Sequence, residues 1–124
     1  MPANNKTIVE KVNAAFAQNN PEGFLTHCAD DVVFTMVGDT AVRGKDAVRK
    51  WMASMNGEPP KFTVQNVIAE GDFATSHGEM TMKDKDGKIG QYAYCDIYRF
   101  RGDKIVELKA FVMKTEAQAK TAGV

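Results

Sequence analysis

An aspartate set in a row of tyrosines is the residue of this sequence best placed to do chemistry. Within GQYAYCDIYRF, residues 90–100, strand alternation puts Tyr92, Tyr94, Asp96, Tyr98 and Phe100 on one face. Ala93, Cys95, Ile97 and Arg99 fall on the other. A carboxylate in such a row is either solvated on an outer face or held in an apolar site. In the second case desolvation raises its pKa, and it becomes a general acid or base near neutral pH. His77, in ATSHGEMTM, is the second candidate. A two-residue turn at Asp86-Gly87 sets it opposite Asp96, where a carboxylate would hold the imidazole in one tautomer. A one-residue shift sends it to the other face. The expected catalytic pair is therefore Asp96 and His77.

Other chemistry-bearing residues carry weaker patterns. His77-x-Glu79 has the spacing of half a zinc deaminase motif, but the P-C-x-x-C half is missing. Cys28 and Cys95 form no C-x-x-C pair and read as buried free thiols. No metal site and no cofactor are expected. His27 sits near the end of a helix, where a positive charge is favoured structurally. Arg101-Gly102-Asp103 is a hairpin turn rather than an adhesion signal.

The elements that must position these residues follow from turn and periodicity signals. Thr7-x-x-Glu10 fits a capping box, and Ile8, Val12, Ala15 and Phe16 share a helical face. Asn20-Pro21 opens a second helix to about Cys28. Residues 32–37, VVFTMV, read as a buried strand, with Ala41 to Arg43 as a short partner. Ala47, Val48, Trp51, Met52 and Met55 mark a third helix after Gly44, stopped at Asn56-Gly57. Lys61 to Glu70 and Phe73 to Asp84 are strands turned at Gly71-Asp72, and two longer strands meet at Gly102-Asp103. If that last turn is a simple pair, Lys109 faces Asp96; if it carries a bulge, Asp96 shares a face with Leu108, Ala110 and Val112. Thr115 to Val124 reads as a tail.

Helices followed by an antiparallel meander mean an α+β fold: three N-terminal helices packed on a strongly curved, mainly antiparallel sheet. Long strands twist and bulge, so the sheet curls into a cone with a pocket inside. Phe16, Met36, Trp51, Tyr94, Tyr98 and Ala110 are the expected ligand-lining residues; for the first three core packing comes first and pocket lining second, and the tyrosines could equally pave a dimer interface. The 124 residues fit one domain, with its core over about 7–114. Lys plus Arg equals Asp plus Glu, which argues against nucleic acid as a partner. No run approaches the roughly 20 apolar residues of a membrane helix, and no signal-peptide pattern opens the chain. A cytoplasmic protein is expected.

Three segments carry a family resemblance: FLTHCADDVVF at 24–34, VRGKDAVRKWM at 42–52 and DIYRFRGDKIVELKAF at 96–111. From about Thr7 to Lys114 the chain resembles the nuclear transport factor 2-like superfamily, in particular its SnoaL-like and ketosteroid-isomerase-like members. The resemblance implies a cone-shaped, cystatin-like barrel and a homodimer through the outer sheet face. It also implies a small apolar molecule as partner. Such families include isomerases, cyclases, dehydratases, epoxide hydrolases and proteins without catalysis. The D-x-[FY]-R-F segment of ketosteroid isomerases carries the protonated aspartic acid of the oxyanion hole, and Asp96 sits at that place. Met36 stands where that family has its base, and Val12 where it has its oxyanion tyrosine. Methionine carries no transferable proton and valine donates no hydrogen bond. The resemblance thus implies either a cofactor-independent isomerase, cyclase or lyase acting on a small apolar carbonyl-containing or polycyclic substrate, or a non-catalytic small-ligand-binding or dimeric interaction module of the same fold.

Overall fold

The computed structural model describes residues 5–55, 61–83 and 86–115. Helix α1 spans Asn5–Ala17, α2 Pro21–Leu25 and α3 Lys45–Ala53. Strands are β1 Cys28–Met36, β2 Ala41–Arg43, β3 Lys61–Glu70, β4 Phe73–Lys83, β5 Ile89–Arg101 and β6 Lys104–Lys114. The strands form one sheet in the order β2-β1-β6-β5-β4-β3, antiparallel except where β1 runs parallel to β6. This is the expected α+β architecture: three helices on a curled, mostly antiparallel sheet.

Besides α3, which ends at Ala53 and leaves Met55 outside the helix and exposed, three boundaries differ from the sequence reading. Thr7 lies inside α1, which already includes Asn5, so the capping-box reading does not hold. Helix α2 stops at Leu25 and β1 starts at Cys28 rather than Val32. The cause is tertiary: the Ile105 amide donates to the His27 carbonyl at 2.8 Å, and Cys28 pairs with Ile105, drawing this segment into the sheet. The third difference is the link from β4 to β5, taken up with the site below. The predicted tail falls, beyond Thr115, outside the described residues.

Val9 and Val12 of α1, Phe24 and Leu25 of α2 and Val48 of α3 are all fully buried. They pack with Val32 and Phe34 of β1, Tyr98 and Phe100 of β5, and Ile105 and Leu108 of β6 into one core. Aromatic rings run through it in contact: Phe16 to Phe24 (centroids 5.2 Å), Phe24 to Phe34 (6.0 Å) and Phe34 to Trp51 (5.0 Å). Each such pair adds about 0.5–1.5 kcal/mol beyond its buried area. The ladder links all three helices to β1.

Strand β3 bulges between Val64 and Asn66, where it presses onto Gly78 of β4. A Cβ at Gly78 would collide with the Thr63 carbonyl. That carbonyl is backbone and cannot swing aside, so only glycine fits. Gly78→Ala is expected to cost about 1–3 kcal/mol, the range for overpacking a tight contact. Urea denaturation checks this, and an unchanged midpoint would contradict the close approach.

Candidate functional site

Pairing registers decide which side chains share the inner, helix-covered face of the sheet. Deepest lies the row Ala74, Tyr98, Leu108 and Phe34, drawn from β4, β5, β6 and β1. All four are buried, none more than 9 % exposed. The next row reads Val67, Ser76, Asp96, Ala110 and Met36. Above it stand Gly78, Tyr94 and Val112, and then Met80, Tyr92 and Lys114. Asp96 is thus one step above the filled core, with the small side chains of Ser76 and Ala110 on its two flanks.

This register depends on a bulge between Arg99 and Phe100. The irregularity pairs Asp96 with Ala110 rather than Lys109, which faces Ile97 on the opposite side of the sheet. The bulged alternative in the sequence is the one that forms. Asp96 keeps some exposed surface as a residue, but protein surrounds its carboxyl. Desolvation is the sole cause of its shift, from 3.8 to about 7. No hydrogen bond or ion pair to the carboxyl is found among the described residues.

Tyr98, two positions along, is fully buried, and its hydroxyl has no hydrogen-bond partner among the described residues. Desolvation first, and the nearby Asp96 second, push its phenol far up, so it stays protonated. Tyr94 is committed differently. Its hydroxyl donates to the Thr63 carbonyl at 3.0 Å, and its ring meets Phe62 edge-on at 5.9 Å. Burial raises its pKa, a hydrogen bond from Ser76 lowers it, and Asp96 raises it again. Ser76 in turn accepts from the Asn13 amide at 3.1 Å. A buried polar chain from α1 through β4 and β5 to β3 therefore borders Asp96 without bonding to it.

His77 is not part of this site. It pairs with Cys95 and Asn66, and so points to the outer face. The expected Asp96–His77 contact does not form. The first closed pair after the β4–β5 link is Lys83 with Ile89, so an odd number of residues joins the strands. A two-residue turn at Asp86-Gly87 would have set the register one place over. Among the other expected residues, Met36 and Ala110 lie in the row of Asp96. Phe16 and Trp51 are half-buried and packed on the core ladder. His27 is half-buried, and desolvation, with Lys11 and Lys104, lowers its pKa, opposite to the helix-end effect expected.

Asn13 and Ser76 are site residues that the sequence reading missed. Asn13 is four residues after Val9 and three before Phe16, which puts an amide on the apolar face of α1. Ser76 belongs to the alternating small set Ala74, Ser76, Gly78, a sign of room on one face of β4. No group of three metal-ligating side chains comes together among the described residues, and no described helix is long and apolar enough to cross a membrane.

With this geometry in place, comparison with known families is informative. The SnoaL-like domain profile matches residues 9–108. The chain belongs to this family. As a SnoaL-like protein it shares its fold with many solved structures. An NTF2-like protein of unknown function from Cytophaga hutchinsonii is 24% identical, with a TM-score of 0.75 over 88% of this chain and 99% of that one. A candidate SnoaL-like polyketide cyclase from Jannaschia is 16% identical, with a TM-score of 0.74 over 90% of each chain. An LEH-like epoxide hydrolase of M. tuberculosis is 16% identical, with a TM-score of 0.74 over 86% of this chain and 80% of that one. At these identities the likeness is one of fold. No curated protein matches the sequence. In this SnoaL-like chain the profile match covers Asp96, Ser76 and Asn13, and stops before Ala110.

The isolated carboxyl has a consequence for stability. Folding favours its neutral form, so its contribution is fully present below pH 3.8 and is lost as pH rises through about 7. Asp96→Asn removes the titration. Relative to that variant, the wild type should lose on the order of 4 kcal/mol between these two pH values and then level off. Chemical denaturation of both proteins across this window checks it. A flat difference would mean that the carboxyl is solvated.

Proposed function

We propose that the inner face of the sheet binds a small, mainly apolar molecule, and that Asp96 exchanges a proton with it. The observation that carries this reading is the Asp96 carboxyl, buried and without a partner among the described residues, flanked by Ser76 and Ala110, with Tyr98 in the next row, its hydroxyl also unpartnered among those residues. As an enzyme, the protein would be a cofactor-independent isomerase, cyclase or lyase on a carbonyl-containing or polycyclic substrate. Ionised Asp96 would take a proton from carbon next to the carbonyl, breaking a C–H bond and forming O–H. It would then return that proton to another atom of the same substrate. A group with a pKa of about 7 has both forms present at neutral pH, which suits such a shuttle. It would not be a standard ketosteroid isomerase: Met36 occupies the row of Asp96 where a base would be needed, and Val12 is sealed in the core.

A second reading, ligand binding without turnover, is favoured by one observation. Among the described residues, no other acid or base is paired with Asp96 once His77 faces outward. Titration with a panel of small cyclic ketones, followed by NMR, tests the shared part of both readings. Shifts are expected at Asp96, Ala110, Met36 and Tyr98 and not at His77. Shifts confined to the outer face would overturn them. If a ketone is turned over, Asp96→Asn should lower kcat by about 100-fold or more; unchanged turnover would remove Asp96 from the chemistry.

The proposal includes a homodimer through the outer face. Ile68, Phe73, Phe111 and Met113 are 55, 50, 37 and 71 % exposed there, large apolar side chains set among charged ones such as Arg99, Glu107 and Lys109, a mixture an interface could cover. Light scattering is expected to give twice the chain mass, and Phe111→Glu to halve it. A monomeric wild type would refute this part alone.

A further inference from the structure

The acidic residues of this protein are treated unequally. Glu22 is paired with Arg49 at 2.8 Å, Asp31 with Arg101 at 2.9 Å and Glu107 with Arg99 at 3.5 Å, all at the surface. Asp96, the one whose carboxyl is enclosed, has no counter-charge among the described residues. Val67 of β3, Ser76 and Gly78 of β4, Tyr94 and Tyr98 of β5, Ala110 and Val112 of β6, and Met36 of β1 surround it on the inner face. Helix α1 brings Asn13 to Ser76, with Val9, Val12 and Phe16 beside it; α2 contributes Phe24 and Leu25, and α3 Val48, Trp51 and Met52. Only the two tyrosines among these titrate, and neither can supply positive charge.

An enclosed carboxylate without a partner is costly, and the occupant that best relieves the cost is a cation. A metal ion does not fit, because it needs several oxygen ligands, and no cluster of three such side chains is present among the described residues. An alkylammonium matches the chemistry of the site. It is weakly hydrated, tolerates apolar neighbours, and is attracted to aromatic rings such as those flanking Asp96. We propose that the inner face beside Asp96 takes small organic ammonium ions, with the Asp96 carboxylate as their counter-charge. This rests on the reading of the inner face as a small-molecule site, and extends it to a charged ligand class that a hydrogen-bonded ketone does not represent.

Tetramethylammonium, whose charge is constant at every pH, and tert-butanol, of similar size and uncharged, separate the two. Binding is followed by NMR between pH 5 and 9. Tetramethylammonium affinity should rise about tenfold per pH unit while Asp96 is still protonated, and level off above about 7. It should depress the Asp96 titration, and its binding should be lost in Asp96→Asn. Binding of tert-butanol should be independent of pH and survive in that variant. If the cation binds with no pH dependence, or binds Asp96→Asn equally well, the proposal is overturned while the inner-face site stands. If neither probe shifts an inner-face resonance, both fall. The wild-type pH profile needs no variant, so a poorly folded Asp96→Asn would leave the test intact.

Discussion

The register of β5 against its neighbours is the constraint on which the setting of Asp96 depends. Every residue of a strand changes face with a shift of one position. The bulge between Arg99 and Phe100 supplies such a shift, and it takes Asp96 away from Lys109 and sets it beside Ala110. Had the hairpin closed without it, the same aspartate would have faced a lysine. The sheet would then carry one more cross-strand ion pair and no enclosed acid. A single extra backbone residue thus separates an ion-paired carboxylate from a desolvated one.

The enclosed acid sits where the inner-face side chains change from large to small. Below it, Tyr98, Leu108, Ala74 and Phe34 are buried with the helices. At its own level the flanking side chains shrink to those of Ser76 and Ala110, and one step higher to none at Gly78. Gly78 serves twice. Its lack of a Cβ lets β3 press inward, and the carbonyl brought in by that approach, Thr63, accepts the Tyr94 hydroxyl. The polar chain from Asn13 through Ser76 to Tyr94 thus satisfies its own members and leaves the Asp96 carboxyl out. An unsatisfied buried hydroxyl costs about 1–3 kcal/mol, so the unpartnered oxygen of Tyr98 is a second place where stability is given up near the same point. Two uncompensated polar groups therefore fall in adjacent rows of the inner face.

The outer face of the same sheet obeys a different logic. His77, Cys95 and Phe111 form one row there, with exposed Met113 and Phe73 nearby. Strand alternation alone separates this apolar surface from the acid on the inner face. The two faces can therefore change independently in sequence, which suits a fold that carries many activities.

Local pattern was enough to determine much of this protein. Helical spacing located α1 and α3, glycine-centred turns located the four-strand meander, and the family resemblance supplied the fold. The apolar row around Asp96 marked it as the residue to watch, because alternation within one strand is a local property. What only the tertiary structure decided was pairing between strands. His77 faces away from Asp96 because an odd number of residues links β4 to β5, and turn composition does not reveal parity. Cys28 joins a strand because Ile105, far away in the chain, pairs with it. Asn13 and Ser76 become neighbours only when α1 lies across β4. The elevated pKa of Asp96 is likewise tertiary: it comes from desolvation, and desolvation is set by what other segments bring to the inner face.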